Sequence, residues 1–140
     1  MTTPRGRARA RGAALVVVML VAGCGSQEVR DRFSGTWRLR DGRTIPIRRV
    51  SARDGRAALR RLHGRPCRGA AVYFRATYFG GGAHLAGCAT GDGRRLRGRF
   101  DDRGMTGAIE QRAVGSGRFV AILRGEGARP FRVVATRVRR

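Results

Sequence analysis

From Phe33 onward, apolar and polar residues alternate in short runs, and most runs end in a glycine-bearing turn. A period of two is what a strand shows when one of its faces is buried. Phe33-Ser34-Gly35-Thr36-Trp37-Arg38-Leu39 sets Phe33, Gly35, Trp37 and Leu39 on one face. Asp41-Gly42 then suits a type I′ hairpin turn. Arg43 to Val50 makes the second strand, with Ile45 and Ile47 pointing together and Pro46 marking an edge or a bulge. Asp54-Gly55 reads as a further turn. Ala57 to His63 carries two patterns. Ser51-x-x-Asp54 suits the cap of a short helix covering Ala58, Leu59 and Leu62, whereas the neighbouring runs favour a strand, which is the expectation adopted.

Gly64-Arg65-Pro66 breaks the chain, and Ala70 to Phe79 is its most strand-like run, rich in Val, Tyr, Phe and Thr. Gly80-Gly81-Gly82 turns it, Ala83 to Thr90 returns, and Gly91-Asp92-Gly93 turns again. Arg94 to Phe100 alternates cleanly, with Leu96, Gly98 and Phe100 inward and Arg95, Arg97 and Arg99 outward. Asp101 to Gly104 turns into Met105 to Ala113, with Ile109 inside. Gly115-Ser116-Gly117 leads into Arg118 to Arg124, and Gly125 to Pro130 into Phe131 to Val138. The last two runs are apolar on both faces over short stretches, which suits a central place in a sheet. The fold class is therefore all-β: a small antiparallel meander of eight or nine short strands, closed into a barrel or folded as a sandwich, in a single domain over residues 33–140.

The start of the chain follows a different pattern. Arg5, Arg7, Arg9 and Arg11 precede ten residues of Ala, Leu, Val and Met over Ala13–Ala22, and Ala22-Gly23 leads into Cys24. A basic segment, a short apolar run and small residues before a cut are the parts of a secretory signal. Gly12 to Gly25 falls short of the ~20 residues that a membrane span needs. No Arg-Arg pair precedes the apolar run, so a twin-arginine signal is unsupported. Leu20-Val21-Ala22-Gly23-Cys24 resembles the lipobox of bacterial lipoprotein signal peptides. That resemblance implies cleavage after Gly23 and a diacylglyceryl group on the Cys24 sulfur. Two acyl chains hold a protein to a bilayer where one is marginal. Residues 1–23 are then the signal and 24–32 a short polar tether, and the expected site of work is the extracytoplasmic face of the cell membrane.

Charge adds a partner class. All 31 basic residues are Arg; without the four in the signal, 27 face 9 acids, a formal +18. The absence of Lys points to coding bias, which accounts for the choice of Arg but not for the excess of charge. The field of such a surface attracts anions, and guanidinium grips phosphate bidentately. Phospholipid headgroups and envelope polymers are the expected partners. A specific nucleic-acid role is not expected, since the chain has no helix-turn-helix, zinc-finger or RNP pattern and its Arg residues are dispersed.

Gly35-Thr36-Trp37 near the head of the first strand is similar to the Gly-x-Trp of lipocalins and to the Gly-Thr-Trp strand that opens avidin-type barrels. The lipocalin resemblance implies a barrel whose Trp packs on its floor against an Arg from near the last strand, a part open to Arg137 or Arg139. It also implies an interior that takes a small apolar ligand.

With Cys24 acylated, Cys67 and Cys88 remain, and an even pair in an exported chain is expected to form a disulfide. The alternative is zinc. His63-Gly-Arg-Pro-Cys67 and His84-Leu-Ala-Gly-Cys88 share a His-x-x-x-Cys spacing, and four such ligands suit a tetrahedral ion, although Arg65 and Arg68 would crowd a cation. Catalytic patterns such as Gly-x-Ser-x-Gly and His-Glu-x-x-His are missing. Ser116 and the pair Asp101-Asp102 sit in expected turns, where Ser and Asp serve local hydrogen bonding. The chain calls for no cofactor. The functional expectation is a membrane-anchored envelope lipoprotein acting as a non-catalytic binding or structural module. A lipocalin-like carrier and a secreted-side enzyme without a familiar motif are the alternatives.

Overall fold

Alternation sorts the side chains of eight strands into an inner and an outer set, and the computed structural model, which describes residues 28–78 and 83–139, closes those strands into a barrel. The strands are β1 (Gly35–Leu39), β2 (Thr44–Val50), β3 (Val72–Tyr78), β4 (Ala83–Ala89), β5 (Arg95–Asp102), β6 (Met105–Val114), β7 (Arg118–Gly125) and β8 (Phe131–Arg137). Each pairs antiparallel with its neighbour in sequence, and β8 closes onto β1 through Trp37↔Arg137 and Leu39↔Ala135. Closure leaves no edge strand. Pro46 stands opposite Thr36 of β1, one residue before the β2–β3 ladder begins at Ile47, rather than at an edge. The expected signal, Cys24 and the expected turn at Gly80-Gly81-Gly82 lie outside the described residues.

The inner set fills the barrel. Phe33, just before β1, is fully buried and stands edge-on to Phe74 and Phe119, with ring centroids 5.8 and 6.3 Å away. Trp37 lies 4.7 Å from Phe119. Ile45, Ile47, Leu85, Leu96, Phe100, Ile109 and Leu123 complete the packing at exposures between 0% and 5%. A ligand cavity would show as accessible surface on the residues lining it, so these values leave no room for one among them. β7 and β8 are not central, because a closed barrel has no centre. Phe119, Ala121 and Leu123 point in, and their neighbours Val120 and Ile122 are half-buried.

Residues 52–63 depart from the expected turn and strand. Ala52–Arg61 is a helix, α1, with Ser51 as N-cap accepting from the Asp54 backbone N–H at 3.1 Å. Its end is a Schellman motif. His63 takes a left-handed φ of 61°, and the Gly64 N–H donates to the Leu59 carbonyl at 2.7 Å. The helix lies against the outer wall of β3 and β4, burying Ala58 and Leu59 over Tyr73, Ala86 and Cys88. Gly55 explains why the turn reading fails. A Cβ there would strike the Tyr73 ring, so the glycine serves close packing of helix on sheet rather than a bend. That approach outweighs the roughly 1 kcal/mol that glycine costs a helix relative to alanine.

Two hairpins use different turn chemistry. At Asp101–Gly104 the strands run on to Asp102, and the two central residues, Arg103 and Gly104, take φ of 53° and 93°, as a type I′ turn requires. The first hairpin is not type I′ at Asp41-Gly42. The Gly42 N–H donates to the Leu39 carbonyl at 3.0 Å, and Gly42 takes φ 88°, which makes a three-residue loop ending in a glycine bulge. The Asp41 carboxylate accepts from the Arg43 side chain and backbone, which holds its pKa below the ordinary carboxylate range.

Candidate functional site

The residues singled out by the lipocalin resemblance meet on the barrel floor, the end at which β1 begins and β8 finishes. The Trp37 indole N–H donates to the Phe33 carbonyl at 2.8 Å, and the Arg137 guanidinium carbon sits 4.3 Å from the Trp37 ring centroid. Register places them together, since Trp37 and Arg137 are direct partners across the β1–β8 seam. Arg137 donates through Nη1 to Ser34 O at 2.7 Å, through Nη2 to Arg32 O at 3.0 Å and through Nε to Ser116 O at 3.2 Å. Arg137 takes the stacking role, whereas Arg139 lies beyond β8 and is exposed. A guanidinium committed to three carbonyls and an aromatic face is a structural clamp. Asp31 supports the same segment, accepting from the Phe33 and Ser34 backbone N–H groups at 3.1 and 3.0 Å and from the Ser34 hydroxyl.

Cys67 and Cys88 are joined in a disulfide with their Cα atoms 6.1 Å apart. Their sulfurs are bonded to each other, so the alternative set of His63, Cys67, His84 and Cys88 lacks its two thiolates. Among the described residues no group of three or more His, Cys, Asp or Glu is placed to hold a metal ion. His63 follows the C-cap Leu62 of α1 in a left-handed conformation, and His84 stands on β4 between Thr77 and Asp101 in register. Asp101, near the end of β5, accepts from the Gly104 N–H at 2.9 Å across the turn, and the Ser116 backbone carbonyl accepts from Arg137.

The outer wall holds what local sequence could not show. A groove of about 500 Å³ lies between residues 63–68 and strands β4 and β5. Its floor includes Leu59 and the Cys67–Cys88 bond, and Arg65, Arg68, Arg97 and Arg99 reach it. Arg99 is engaged, donating to Leu62 O at 3.1 Å and lying 3.6 Å from a Glu126 oxygen. Arg65, Arg68 and Arg97 are exposed and have no carboxylate within 4.0 Å among the described residues. Alternation identified Arg97 as outward, but Arg65 lay in the chain break and Arg68 between that break and the next strand. Only the paired cysteines hinted that this break folds back onto β4.

Elsewhere on the wall, like charges face one another. Arg48 is the direct partner of Arg75, and Arg95 of Arg112. Like charges across strands destabilise a sheet. The ion pairs that oppose this are mostly at the surface, such as Arg94–Asp92 and Arg95–Glu110, and each contributes about 0–1 kcal/mol. Screening therefore relieves more repulsion than it removes attraction. Raising NaCl from ~0.01 to ~0.5 M is expected to raise the melting temperature by roughly 5 °C, as thermal circular dichroism would show. A fall would mean that ion pairing outweighs repulsion on this surface.

Comparisons with protein-family models, with curated proteins and with solved structures return no match.

Proposed function

We propose that the chain is an exported lipoprotein, anchored through Cys24 at the extracytoplasmic face of the membrane, and that it acts as a non-catalytic module binding through the outside of its barrel. The observation that carries the binding part is the packed interior. Phe33, Trp37, Phe74 and Phe119 meet where a carrier would keep its ligand. Recognition then falls to the outer wall, whose excess of guanidinium favours anionic envelope polymers or headgroups. The lipobox supports the address, and the disulfide suits a compartment that oxidises thiols. The described N-terminal segment crosses the floor, where Arg32 Nε donates to Asp92 O at 2.8 Å. With eight residues between Cys24 and Phe33, an acylated chain holds that end of the barrel close to the bilayer.

A lipocalin-like carrier is the second reading, favoured by the Trp37–Arg137 stack. Intact mass of the chain from the envelope fraction tests the anchor. The expected species begins at Cys24, carries a diacylglyceryl group and lacks the two hydrogens of the Cys67–Cys88 bond. A soluble, unacylated chain that begins at Met1 overturns the anchor. An apolar fluorescent fatty acid tests the interior: no saturable uptake is expected, and stoichiometric uptake reinstates the carrier.

A further inference from the structure

We infer that the groove between residues 63–68 and strands β4 and β5 is a phosphate-binding site, with Arg65, Arg68 and Arg97 as its ligands. Arg65, Arg68 and Arg97 line one groove of about 500 Å³ together with Arg99, and no carboxylate is among its lining residues. Cations that line one groove repel one another, and the neighbouring Arg99 shows what relieves them, being held by a carbonyl and a carboxylate. Arg65, Arg68 and Arg97 have no carboxylate within 4.0 Å among the described residues, and Glu110, across from Arg97 in the β5–β6 register, pairs with Arg95 instead at 3.2 Å. A phosphoryl group offers the missing oxygens and matches the guanidinium fork.

The arrangement is built rather than incidental. Arg97 stands directly across from Cys88 in the β4–β5 register, so it flanks the disulfide on the outer wall. The disulfide fixes the loop that brings Arg65 and Arg68 to the same groove. The Tyr73 hydroxyl lies 3.4 Å from the Cys67 carbonyl and ties the loop to β3 as well. Thr90 also lines the groove and adds a hydroxyl, and Leu59 and Pro66 supply an apolar side. The same chemistry is presented by an anionic lipid headgroup and by a phosphodiester wall polymer.

The inference rests on the outer-wall reading but not on acylation of Cys24. The test titrates the full chain, with its disulfide formed, with inorganic phosphate at fixed ionic strength by calorimetry. Saturable binding with one site is expected. The R65Q/R68Q/R97Q variant is expected to bind about tenfold more weakly or not at all. A control with the same loss of charge, R38Q/R40Q/R132Q, changes exposed residues on or beside β1 and β8, remote from the groove, and is expected to stay within about twofold. Equal weakening of both variants, or no saturable binding to the unaltered chain, overturns the site. Circular dichroism keeps the comparison to folded variants, and the single change R97Q, exposed on β5, provides a second reading if the triple variant unfolds. Phosphatidylglycerol vesicles and soluble poly(glycerol phosphate) then identify the source, because each is expected to compete with inorganic phosphate only if it fits the groove. Competition by neither would overturn an envelope ligand while leaving the anchor, tested by mass, untouched.

Discussion

Replacing Trp37 with alanine is expected to lower the unfolding free energy by about 3–5 kcal/mol. The indole is 1% exposed, packs edge-on against Phe119 and donates to the Phe33 carbonyl, so its loss opens a cavity and leaves a buried acceptor without its donor. It also removes the face on which Arg137 lies. Against the 5–15 kcal/mol of a typical domain, that is enough to bring the folded state near its limit. Urea denaturation followed by circular dichroism measures the change. A Trp37→Phe variant should recover most of the packing but not the indole hydrogen bond, and so fall between the two. A loss under about 1 kcal/mol for Trp37→Ala would mean that the floor repacks around the missing ring.

Removing the disulfide through Cys67→Ser with Cys88→Ser is expected to cost about 3 kcal/mol. The bond spans 21 positions and anchors a loop with little regular structure between α1 and β3. Most of the loss lies in the freedom that the unfolded chain regains, so the folded barrel should keep its far-ultraviolet spectrum while its urea midpoint falls. Reduction of the unaltered chain with dithiothreitol should give the same shift. A midpoint that does not move would place the constraint elsewhere, for instance in the packing of Leu59 and Tyr73 beneath the helix.

Much of the barrel was legible because its signals are local. Alternation in residues 94–100 put Leu96 and Phe100 inside, where both are buried, and Arg95 and Arg97 outside, where both are exposed. Glycine-bearing turns divided the strands nearly where the ladders end. Alternation alone did not choose between barrel and sandwich, since that choice rests on the β1–β8 seam, a pairing of residues about a hundred positions apart. The helix was misread for a related reason. Ser51 and Asp54 gave its cap, but Gly55 looked like a turn residue until Tyr73, distant in sequence, showed what the missing side chain makes room for. The arginine groove was hidden further still. Its members come from a loop and from a strand, and only the folded bond between Cys67 and Cys88 brings the two together.

Arg137 has a mechanical consequence. Its guanidinium latches the backbone of Arg32 and Ser34, at the head of the domain, to the final strand. Tension that enters through the leading segment, with the load at the opposite mouth, pulls β1 lengthwise against both neighbours. The latch and the rungs of the seam then bear that tension in shear, all at once, instead of parting one by one. A barrel tethered by its leading end in this way resists being drawn open until the latch slips.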